Sequence, residues 1–364
     1  MGFVDFMKQI KTSGIVNCPV HPVKDGEEFP TDNCPDCRAF NLKGKVLISG
    51  SSGFLGYDMA ERLVKNDYEV YGLVRMSVSA RREGMLPEGV IPVWGDLGNL
   101  DSITRIMQEI KPDYIIHYGA LSSVQYSFTH PEEAINTNFL GTVRLAEEAR
   151  KLPNFRKFLF SSTMEVYGNQ PNRIPFTEDM VVHPNCPYAV AKHASEKYLE
   201  YLFYAYGFPC VMIRQTNIYG RKKDPFFIVE AIISKMLSNP KEIQLGSKNP
   251  VRNFLYVEDL LELEQMLLES DDKRLLGQVF NTGPDNAIGI EHLAIKIAVL
   301  LRWTGKIKWE KVEVRPGRGE VWYLNSTPAK IEAILPWKPK TSLWDGLQKT
   351  IDIWTKKLTP SLSQ

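Results

Sequence analysis

Short apolar runs alternate with helical patterns through the first half of the chain. The runs KVLISG, YEVYGLV, DYIIHYGA and KFLFSS, the first of which begins at Lys45, have the length and composition typical of strands. Between them, apolar positions recur with a helical period over 55–65, 101–110 and 131–151. Strands that alternate with helices predict right-handed crossovers and a mainly parallel sheet. The pattern therefore predicts the α/β class.

The same pattern divides the chain into three parts. Residues 1–43 carry three of the five cysteines and show little periodicity. Residues 44–215 carry the alternating pattern, and in residues 216–364 the elements are shorter, with a last amphipathic helix near 342–356. We expect an N-terminal extension, a sheet domain and a smaller C-terminal portion, some segments of which return to the sheet domain.

Composition excludes several classes of partner. The 364 residues include 44 Lys and Arg against 43 Asp and Glu, a formal net charge of +1. This balance predicts neither nucleic acid nor an acidic membrane surface as a partner. No apolar run approaches the roughly 18 residues of a spanning helix, and the N-terminus lacks a signal-peptide pattern. Since five cysteines are an odd number, a secreted disulfide framework is not expected, and we predict a cytoplasmic location.

A glycine-rich segment follows the first predicted strand. Its spacing is G-x-x-G-x-x-G, and it runs directly into a predicted helix. Glycines permit the tight turn and let backbone amides at the start of the helix approach a pyrophosphate. This order predicts a dinucleotide site in a Rossmann-type doubly wound parallel sheet. The predicted contacts are Gly50, Gly53, Phe54, Leu55 and Gly56.

The residues after the next two strands bear on which nicotinamide cofactor is bound. An acidic residue at the end of the second strand holds the ribose 2′-hydroxyl of NAD, but Val74 occupies that place and Arg75 follows it. A guanidinium there suits a 2′-phosphate, so the sequence favours NADP over NAD. Asp96 and Leu97, in the segment GDL, are placed to meet the adenine.

Tyr188 and Lys192 form a Y-x-x-x-K pair in a helical stretch. Residues four apart lie on one helix face, so the phenol and the ammonium are neighbours. A phenol has an ordinary pKa near 10. We expect the ammonium and an oxidised nicotinamide to favour the phenolate, which makes Tyr188 a general base near neutral pH and places both side chains at the cofactor.

Taken together, these motifs resemble the extended short-chain dehydrogenase/reductase family, in particular its nucleotide-sugar dehydratases and epimerases. The similarity runs from about Lys45 to Thr355. The motifs, in order, are SGSSGFLG, GDL, PDYIIHYGALSSV, N-x-x-G-T at 138–142, SSTMEVYG, the Tyr188 and Lys192 pair, RQTNIYG, VRNFLYVEDL, NTG at 281–283 and RPG at 315–317. The resemblance implies a nicotinamide recycled within each turnover. It also implies a homodimer joined through helices at 131–151 and 187–206.

The resemblance implies a 4,6-dehydratase reaction on a nucleotide sugar. Tyr188 would remove a proton from a sugar hydroxyl, at C4, while Thr163 hydrogen-bonds that oxygen. The resulting 4-ketone acidifies the C5 hydrogen, and Glu165 is the candidate base. If the chain is still extended there, Thr163 and Glu165 share a face.

Met164 departs from the dehydratase pattern. Many dehydratases carry an aspartate there, and a thioether cannot donate a proton. An epimerase acting through the same 4-keto intermediate, or an elimination that stops at a 5,6-ene, therefore remains an alternative. A non-catalytic nucleotide-sugar-binding protein is a third hypothesis, although Tyr188, Lys192, Thr163 and Glu165 together argue against it.

The resemblance also implies a set of substrate contacts. The partner is a nucleotide-diphosphate sugar, and Arg side chains can bind its phosphates bidentately. Asn217, Arg252 and Arg315 are expected at the diphosphate. Ser122 and Met164 complete the predicted substrate site.

The N-terminal extension contains a possible metal site. Cys18 and His21 form one pair with x₂ spacing, and Cys34 and Cys37 form another, with residues 22–33 between the pairs. Two such pairs suit tetrahedral zinc with Cys₃His ligands. The segment is too short and polar to fold around a core of its own, so the metal would supply its order.

Overall fold

The apolar runs form a parallel sheet. The structure is a computed structural model that describes residues 42–75, 85–222, 225–285, 287–310 and 319–358. The strands, in chain order, are β1 (Lys45–Ser49), β2 (Glu69–Val74), β3 (Ile91–Trp94), β4 (Tyr114–His117), β5 (Lys157–Thr163), β6 (Cys210–Gln215), β7 (Asn217–Tyr219), β8 (Glu242–Leu245), β9 (Val251–Arg252), β10 (Phe254–Tyr256), β11 (Gln278–Asn281), β12 (Ile288–Gly289), β13 (Lys306–Trp309) and β14 (Tyr323–Leu324). Among the described residues, seven of them pair in parallel in the order β3-β2-β1-β4-β5-β6-β11.

Helices connect these strands. They are α1 (Phe54–Lys65), α2 (Leu100–Ile110), α3 (Val124–Thr129), α4 (Pro131–Ala134), α5 (Gly141–Arg150), α6 (Pro187–Tyr206), α7 (Ile228–Ser238), α8 (Val257–Glu269), α9 (Ile290–Leu301), α10 (Ala329–Glu332) and α11 (Leu343–Leu358). The bounds of α6 follow from its sequence: Pro187 has the preset φ of a first helical residue, and Gly207 ends the helix in the left-handed conformation at φ 68°.

The single helix expected at 131–151 is interrupted. Between α4 and α5, Ile135–Leu140 form a π-helix. Within it, Asn138 is buried, and its side chain pairs with the backbone of Leu121: Oδ1 accepts from the amide at 2.8 Å and Nδ2 donates to the carbonyl at 3.2 Å. The Asn138 side chain therefore ties the widened turn to the segment after β4, a bond between residues 17 apart that helical periodicity does not reveal.

The core lies on both faces of the sheet. In β1, Val46 and Ile48 face one hydrophobic cluster, which contains α1 and α8, and Leu47 faces another, which contains α2, α5 and α6. A strand buried on both faces needs apolar residues at nearly every position, which explains the unbroken run KVLIS.

The C-terminal portion adds small sheets and returns to the main one. β7 pairs with β10, β9 pairs with β12 and β14, and β8 pairs with β13. Strand β11 extends the main sheet beside β6, and α8 packs against α1 and β5. The long parallel sheet and part of the late chain therefore form one scaffold.

Helix α6 exposes aromatic side chains. Tyr201, Tyr204 and Tyr206 are 46%, 72% and 54% exposed, whereas Tyr198 and Phe203 are partly buried against the core. Among the residues described by the structure, no helix combines the length and the apolar character needed to cross a membrane.

Candidate active site

A cavity of about 640 Å³ opens at the carboxyl ends of the parallel strands. Its floor includes the turns after β1 and β4, which are neighbours in the sheet. From this pair, the chain adds β2 and β3 on one side and β5 and β6 on the other. Ligands of doubly wound sheets bind at this switch point. Of the residues predicted from sequence, thirteen line this cavity: Gly50, Gly53, Phe54, Leu55, Gly56, Arg75, Asp96, Leu97, Ser122, Thr163, Tyr188, Lys192 and Asn217.

The glycine-rich loop has the geometry of a dinucleotide cradle. Gly50 has φ 72°, and a Cβ there would lie 2.9 Å from the Gly119 amide nitrogen. A Cβ on Gly56 would lie 2.2 Å from the Gly50 carbonyl oxygen. Helix α1 begins at Phe54 directly after extended Gly53, which has no side chain to cap it. The amides at its start can therefore meet a pyrophosphate.

Arg75 and Asp96, which the sequence predicts at the adenosine, both line the cavity. Arg75 follows the last residue of β2 and lines the cavity. The Asp96 carboxylate accepts a hydrogen bond from the Gly98 amide at 2.7 Å, which fixes the turn after β3. Val74, the last residue of β2, carries no charge. The charged group that follows it in the cavity lining is the Arg75 guanidinium.

Tyr188, Lys192 and Thr163 converge on the cavity. Tyr188 and Lys192 come from the first two turns of α6, and Thr163 ends β5. The Thr163 hydroxyl and the Tyr188 phenol are hydrogen-bonded. Lys192 Nζ donates to the Ser161 carbonyl at 2.6 Å and lies 4.6 Å from the Phe160 ring centroid. Helix α6 and strand β5 therefore position the three polar groups.

Burial is the largest influence on the pKa values of Tyr188 and Lys192. Burial raises the pKa of Tyr188 above its ordinary value, the hydrogen bond from Thr163 lowers it, and the charge of Glu165 raises it. Burial lowers the pKa of Lys192 to about 7, which the charge of Glu196 opposes. The Lys192 ammonium donates to the Ser161 carbonyl, and its effect on the Tyr188 phenol with cofactor bound stays a prediction.

The side chains of Glu165 and Met164 are placed differently from the prediction because β5 ends at Thr163. Met164–Tyr167 form a 3₁₀ turn, so the assumption of an extended chain behind the shared face is wrong. Glu165 is partly buried and outside the cavity lining, but its charge lies near enough to raise the pKa of Tyr188. Met164 is 1% exposed and packs with Val166 and other apolar side chains. Met164 is therefore placed in the core rather than at the cavity.

The predicted diphosphate contacts are placed differently from one another. Asn217 lines the cavity, and its Nδ2 donates to the Asn253 carbonyl at 3.2 Å. Arg252 is 7% exposed and outside the cavity lining: its guanidinium donates to the Val251 carbonyl at 2.9 Å and the Val321 carbonyl at 2.6 Å. Arg315 lies outside the described residues. In this structure the Arg252 side chain braces β9 against the segment before β14.

The family follows from comparison with known proteins. A family model described as GDP-mannose 4,6 dehydratase matches residues 47–350. The chain belongs to this family. A UDP-glucose 4-epimerase of Mycolicibacterium smegmatis is 31% identical over 324 residues, which cover 86% of this chain and 99% of that protein. A dTDP-glucose 4,6-dehydratase of Xanthomonas campestris is 29% identical over 328 residues, which cover 84% and 92%. The chain is an enzyme of this nucleotide-sugar dehydratase and epimerase kind, and the predicted family is confirmed.

Solved structures confirm the predicted Rossmann-type architecture. A UDP-glucose 4-epimerase from Thermotoga maritima, with UDP-glucose, matches with a TM-score of 0.79 at 27% identity, covering 86% of this chain and 99% of that one. A UDP-glucose 4-epimerase from Thermus thermophilus, in complex with NAD, matches with a TM-score of 0.77 at 26% identity, covering 85% and 99%.

Sequence reasoning missed a buried ion pair behind the enzyme's cavity. Glu196, one turn after Lys192 on α6, accepts two hydrogen bonds from the Arg214 guanidinium, at 3.0 and 2.8 Å. It also accepts one from the Ser162 hydroxyl at 2.5 Å. These bonds join α6, β6 and β5, the elements around Tyr188 and Thr163. The spacing of four residues from Lys192 places Glu196 on the same helix face, but it does not identify a partner such as Arg214 on a strand.

A second missed group lies on the other face of the sheet. Glu264 of α8 is 1% exposed, and it accepts hydrogen bonds from the Tyr118 phenol and, at 3.0 Å, from Gln215 Nε2. Tyr118 and Gln215 both line the cavity. Burial raises the pKa of Glu264 to about 8, which these hydrogen bonds oppose. No sequence motif links these three residues.

The predicted zinc ligands Cys18, His21, Cys34 and Cys37 lie outside the described residues. Over the part of the chain that the structure describes, no group of three or more His, Cys, Asp or Glu side chains could hold a metal ion.

Proposed function

We propose that the enzyme is a nucleotide-sugar 4,6-dehydratase. The observation that carries the proposal is that the carboxylate residue Glu165 lies next to Thr163: its amide donates to the Thr163 hydroxyl at 3.2 Å, and its charge raises the pKa of Tyr188. A 4-epimerase needs a group that removes and returns the hydroxyl proton, but it needs no separate base for carbon. A dehydratase needs both.

The residues divide the work between two proton transfers. The dinucleotide, when bound, supplies a hydride acceptor that later returns the same hydride. Tyr188 takes the C4 hydroxyl proton as the C4–H bond is broken, and Thr163 orients the oxygen through its hydrogen bond. Glu165 then takes the C5 proton, which the neighbouring ketone has made acidic. Tyr188 and Glu165 have then taken two protons: one leaves with the C6 hydroxyl as water and the other is returned to C5, while the hydride is returned to C6. The product is a 4-keto-6-deoxy sugar.

The substrate we propose is a nucleotide-diphosphate sugar. The cavity volume of about 640 Å³ lies within the range of ligand pockets, roughly 300–1,000 Å³. The Thermotoga maritima epimerase, with UDP-glucose, supports this class. Asn217 and Ser122, which line the cavity, are our proposed contacts, and Arg315 and Arg252 remain predictions from the resemblance.

For the cofactor we propose a nicotinamide dinucleotide, with NADP preferred over NAD. Arg75 in the cavity lining and the apolar Val74 before it support the 2′-phosphate. The Thermus thermophilus epimerase in complex with NAD supports the opposite choice. Denaturing the purified protein and identifying the released dinucleotide decides between them, and release of NAD alone contradicts the preference.

Glu165→Gln tests the reaction because it keeps the side chain's size and removes the base. We expect the variant to form reduced cofactor from added substrate, seen by its absorbance, but to stall before water is lost. Wild type should place solvent deuterium at C5 and the variant should not. Glu109→Gln, exposed on α2 beside Arg105, is the control and should react like wild type.

A UDP-glucose 4-epimerase is the second candidate function, which the Mycolicibacterium smegmatis relative favours at 31% identity. Epimerisation at C4 loses no water and never breaks the C5–H bond. If Glu165→Gln turns over at the wild-type rate and wild type incorporates no deuterium at C5, the epimerase replaces the dehydratase. Mass spectrometry of products from a panel of nucleotide sugars separates both from a binding protein, which changes nothing.

A further inference from the structure

The segment after β7 carries a guanidinium into the cavity. Arg221 lines the cavity between two aromatic rings: its Cζ lies 4.7 Å from the Phe54 ring centroid and 4.3 Å from the Phe227 ring centroid. Phe54 belongs to the glycine-rich loop and is the first residue of α1. The guanidinium therefore contacts the aromatic ring of the residue at which the loop enters the helix.

The backbone of Arg221 is fixed on both sides. Its amide donates to Glu230 Oε1 at 3.0 Å, and the same oxygen accepts from the Gly220 amide at 3.0 Å. Its carbonyl accepts from the Trp354 indole at 2.9 Å. The Arg221 backbone is thus fixed by α7 and α11 together, which limits the backbone entropy lost when the residue binds a ligand.

The segment is also tied to α1 a second time. Lys222 Nζ lies 2.9 Å from Oδ1 of Asp58, a buried residue of α1. Residues 221 and 222 therefore contact α1 through an aromatic ring and through a carboxylate, and Arg221 lines the same cavity as the glycine-rich loop.

We propose that Arg221 is a further cofactor-binding residue, which binds the dinucleotide's diphosphate together with the start of α1. The inference rests on the proposed function, because it requires a nicotinamide dinucleotide in the cavity. The start of α1 carries a partial positive charge, and its first turn contains no acidic residue. A guanidinium directed to the same place adds a second positive charge, and a diphosphate is an anion that both can bind.

The substrate's diphosphate is the rival ligand for Arg221. Asn217, our proposed substrate contact, begins β7 and lies four residues before Arg221. The Phe54 ring and the Lys222–Asp58 ion pair favour the cofactor, since both link the segment to α1 rather than to the end of β7.

Arg221→Met tests the assignment because methionine keeps an unbranched chain between the rings and removes the charge. Affinities for the dinucleotide that wild type binds, for ADP-ribose and for UDP are measured by calorimetry on protein freed of cofactor. We expect the dissociation constants of the dinucleotide and of ADP-ribose to rise on the order of 10- to 100-fold, the effect of a charge-assisted hydrogen bond. That of UDP should not change. Lys235→Met, a cation on α7 outside the cavity lining, is the control and should bind all three like wild type.

Different results separate the failures. Weaker UDP binding with unchanged dinucleotide binding assigns Arg221 to the substrate and overturns the inference, as do unchanged affinities for all three. A wild type that binds neither NAD nor NADP overturns the proposed function, and the inference with it. If Arg221→Met does not fold, Arg221→Gln, which removes the charge and keeps a polar side chain, replaces it, and dinucleotide affinity equal to that of wild type overturns the inference.

Discussion

At the scale of single residues, Tyr188 and Lys192 share a helix face but not the same environment. The Tyr188 phenol meets the Thr163 hydroxyl, and the Lys192 ammonium meets the Ser161 carbonyl. Burial favours the neutral form of both groups, so it raises one pKa and lowers the other. Phenolate formation in this site therefore depends on charge supplied by bound ligands as well as on Lys192.

Tyr188→Phe should abolish turnover while leaving ligand binding nearly intact, because only the hydroxyl is removed. A positioned acid–base group contributes about 10²–10⁴-fold to the rate. Steady-state rates and calorimetric affinities measure the two effects, with Tyr204→Phe, exposed on the same helix, as the control. A variant that keeps more than about a tenth of the wild-type rate would contradict this role.

At the scale of elements, the active-site helix is attached to the sheet by an ion pair. Glu196 and Arg214 are 2% and 4% exposed, and their hydrogen bonds link α6 to β6. The Ser162 hydroxyl extends the link to β5, next to Thr163. Hydrogen bonds from His193 and Arg214 and the charge of Arg214 lower the pKa of Glu196 against the effect of burial, which raises it. The pair is thus charged and strongly coupled inside the protein.

Glu196→Gln should destabilise the fold strongly, because it leaves the Arg214 cation buried without its counter-charge. Removing one partner of a buried pair costs about 3–5 kcal/mol. The free energy of unfolding in denaturant measures the loss. Glu200→Gln, one turn later on α6 and paired with Lys197 at the surface, should change it by less than about 1 kcal/mol. Equal effects of the two substitutions would be evidence against a structural role for the pair.

At the scale of the whole molecule, α8 joins the late chain to the cavity floor through Glu264. Its partners Tyr118 and Gln215 follow β4 and end β6, respectively, so one carboxyl group connects three distant parts of the sequence. Arg62 of α1 and Lys157 of β5 also contact α8, but their hydrogen bonds go to Gln265 and to carbonyls at the helix end. Burial therefore has the largest effect on the pKa of the Glu264 carboxyl group.

Glu264→Gln should change how stability depends on pH. The folded-state pKa of Glu264 is raised to about 8, above its ordinary value of 4.5, so the folded protein holds the proton more tightly than the unfolded chain. The stability that this proton binding contributes is fully present below pH 4.5, the ordinary pKa, and is lost as pH rises to about 8. Glutamine does not titrate. As pH rises from acid to mildly alkaline values, the free energy of unfolding of the variant should therefore increase relative to that of wild type by at least about 1 kcal/mol.

Tyr118→Phe distinguishes this titration from other groups. It removes a hydrogen bond that lowers the pKa of Glu264 but leaves the carboxyl group in place. The pH dependence should persist and move to higher pH, as measured by denaturant unfolding across a pH series. If the curves of wild type and Glu264→Gln stay parallel at all pH values, the raised pKa is refuted.

The N-terminal extension carries the remaining prediction for the whole molecule. Cys18, His21, Cys34 and Cys37 should hold about one zinc ion per chain, since two x₂-spaced pairs supply four ligands. Elemental analysis of washed protein checks the stoichiometry, and Cys34→Ser should abolish zinc binding. Chain without metal that unfolds at the same temperature as wild type would reduce these residues to ordinary thiols.

The sequence by itself determined the parts of this protein that depend on neighbours in the chain. Strand and helix alternation specified the parallel sheet, and the spacing of Gly50, Gly53 and Gly56 specified the turn into α1. The bounds of α6, with its Tyr188 and Lys192 face, follow from Pro187 and Gly207.

Only the tertiary structure decided where side chains without a local signature point. Met164 is buried because β5 ends one residue earlier in a 3₁₀ turn, and Arg252 donates to carbonyls of neighbouring segments instead of lining the cavity. Glu264 lies 146 residues from Tyr118 and 49 from Gln215. Helical and strand periods place residues relative to their own element. Which elements meet, and hence which buried polar groups find partners, is set by packing among segments far apart in sequence.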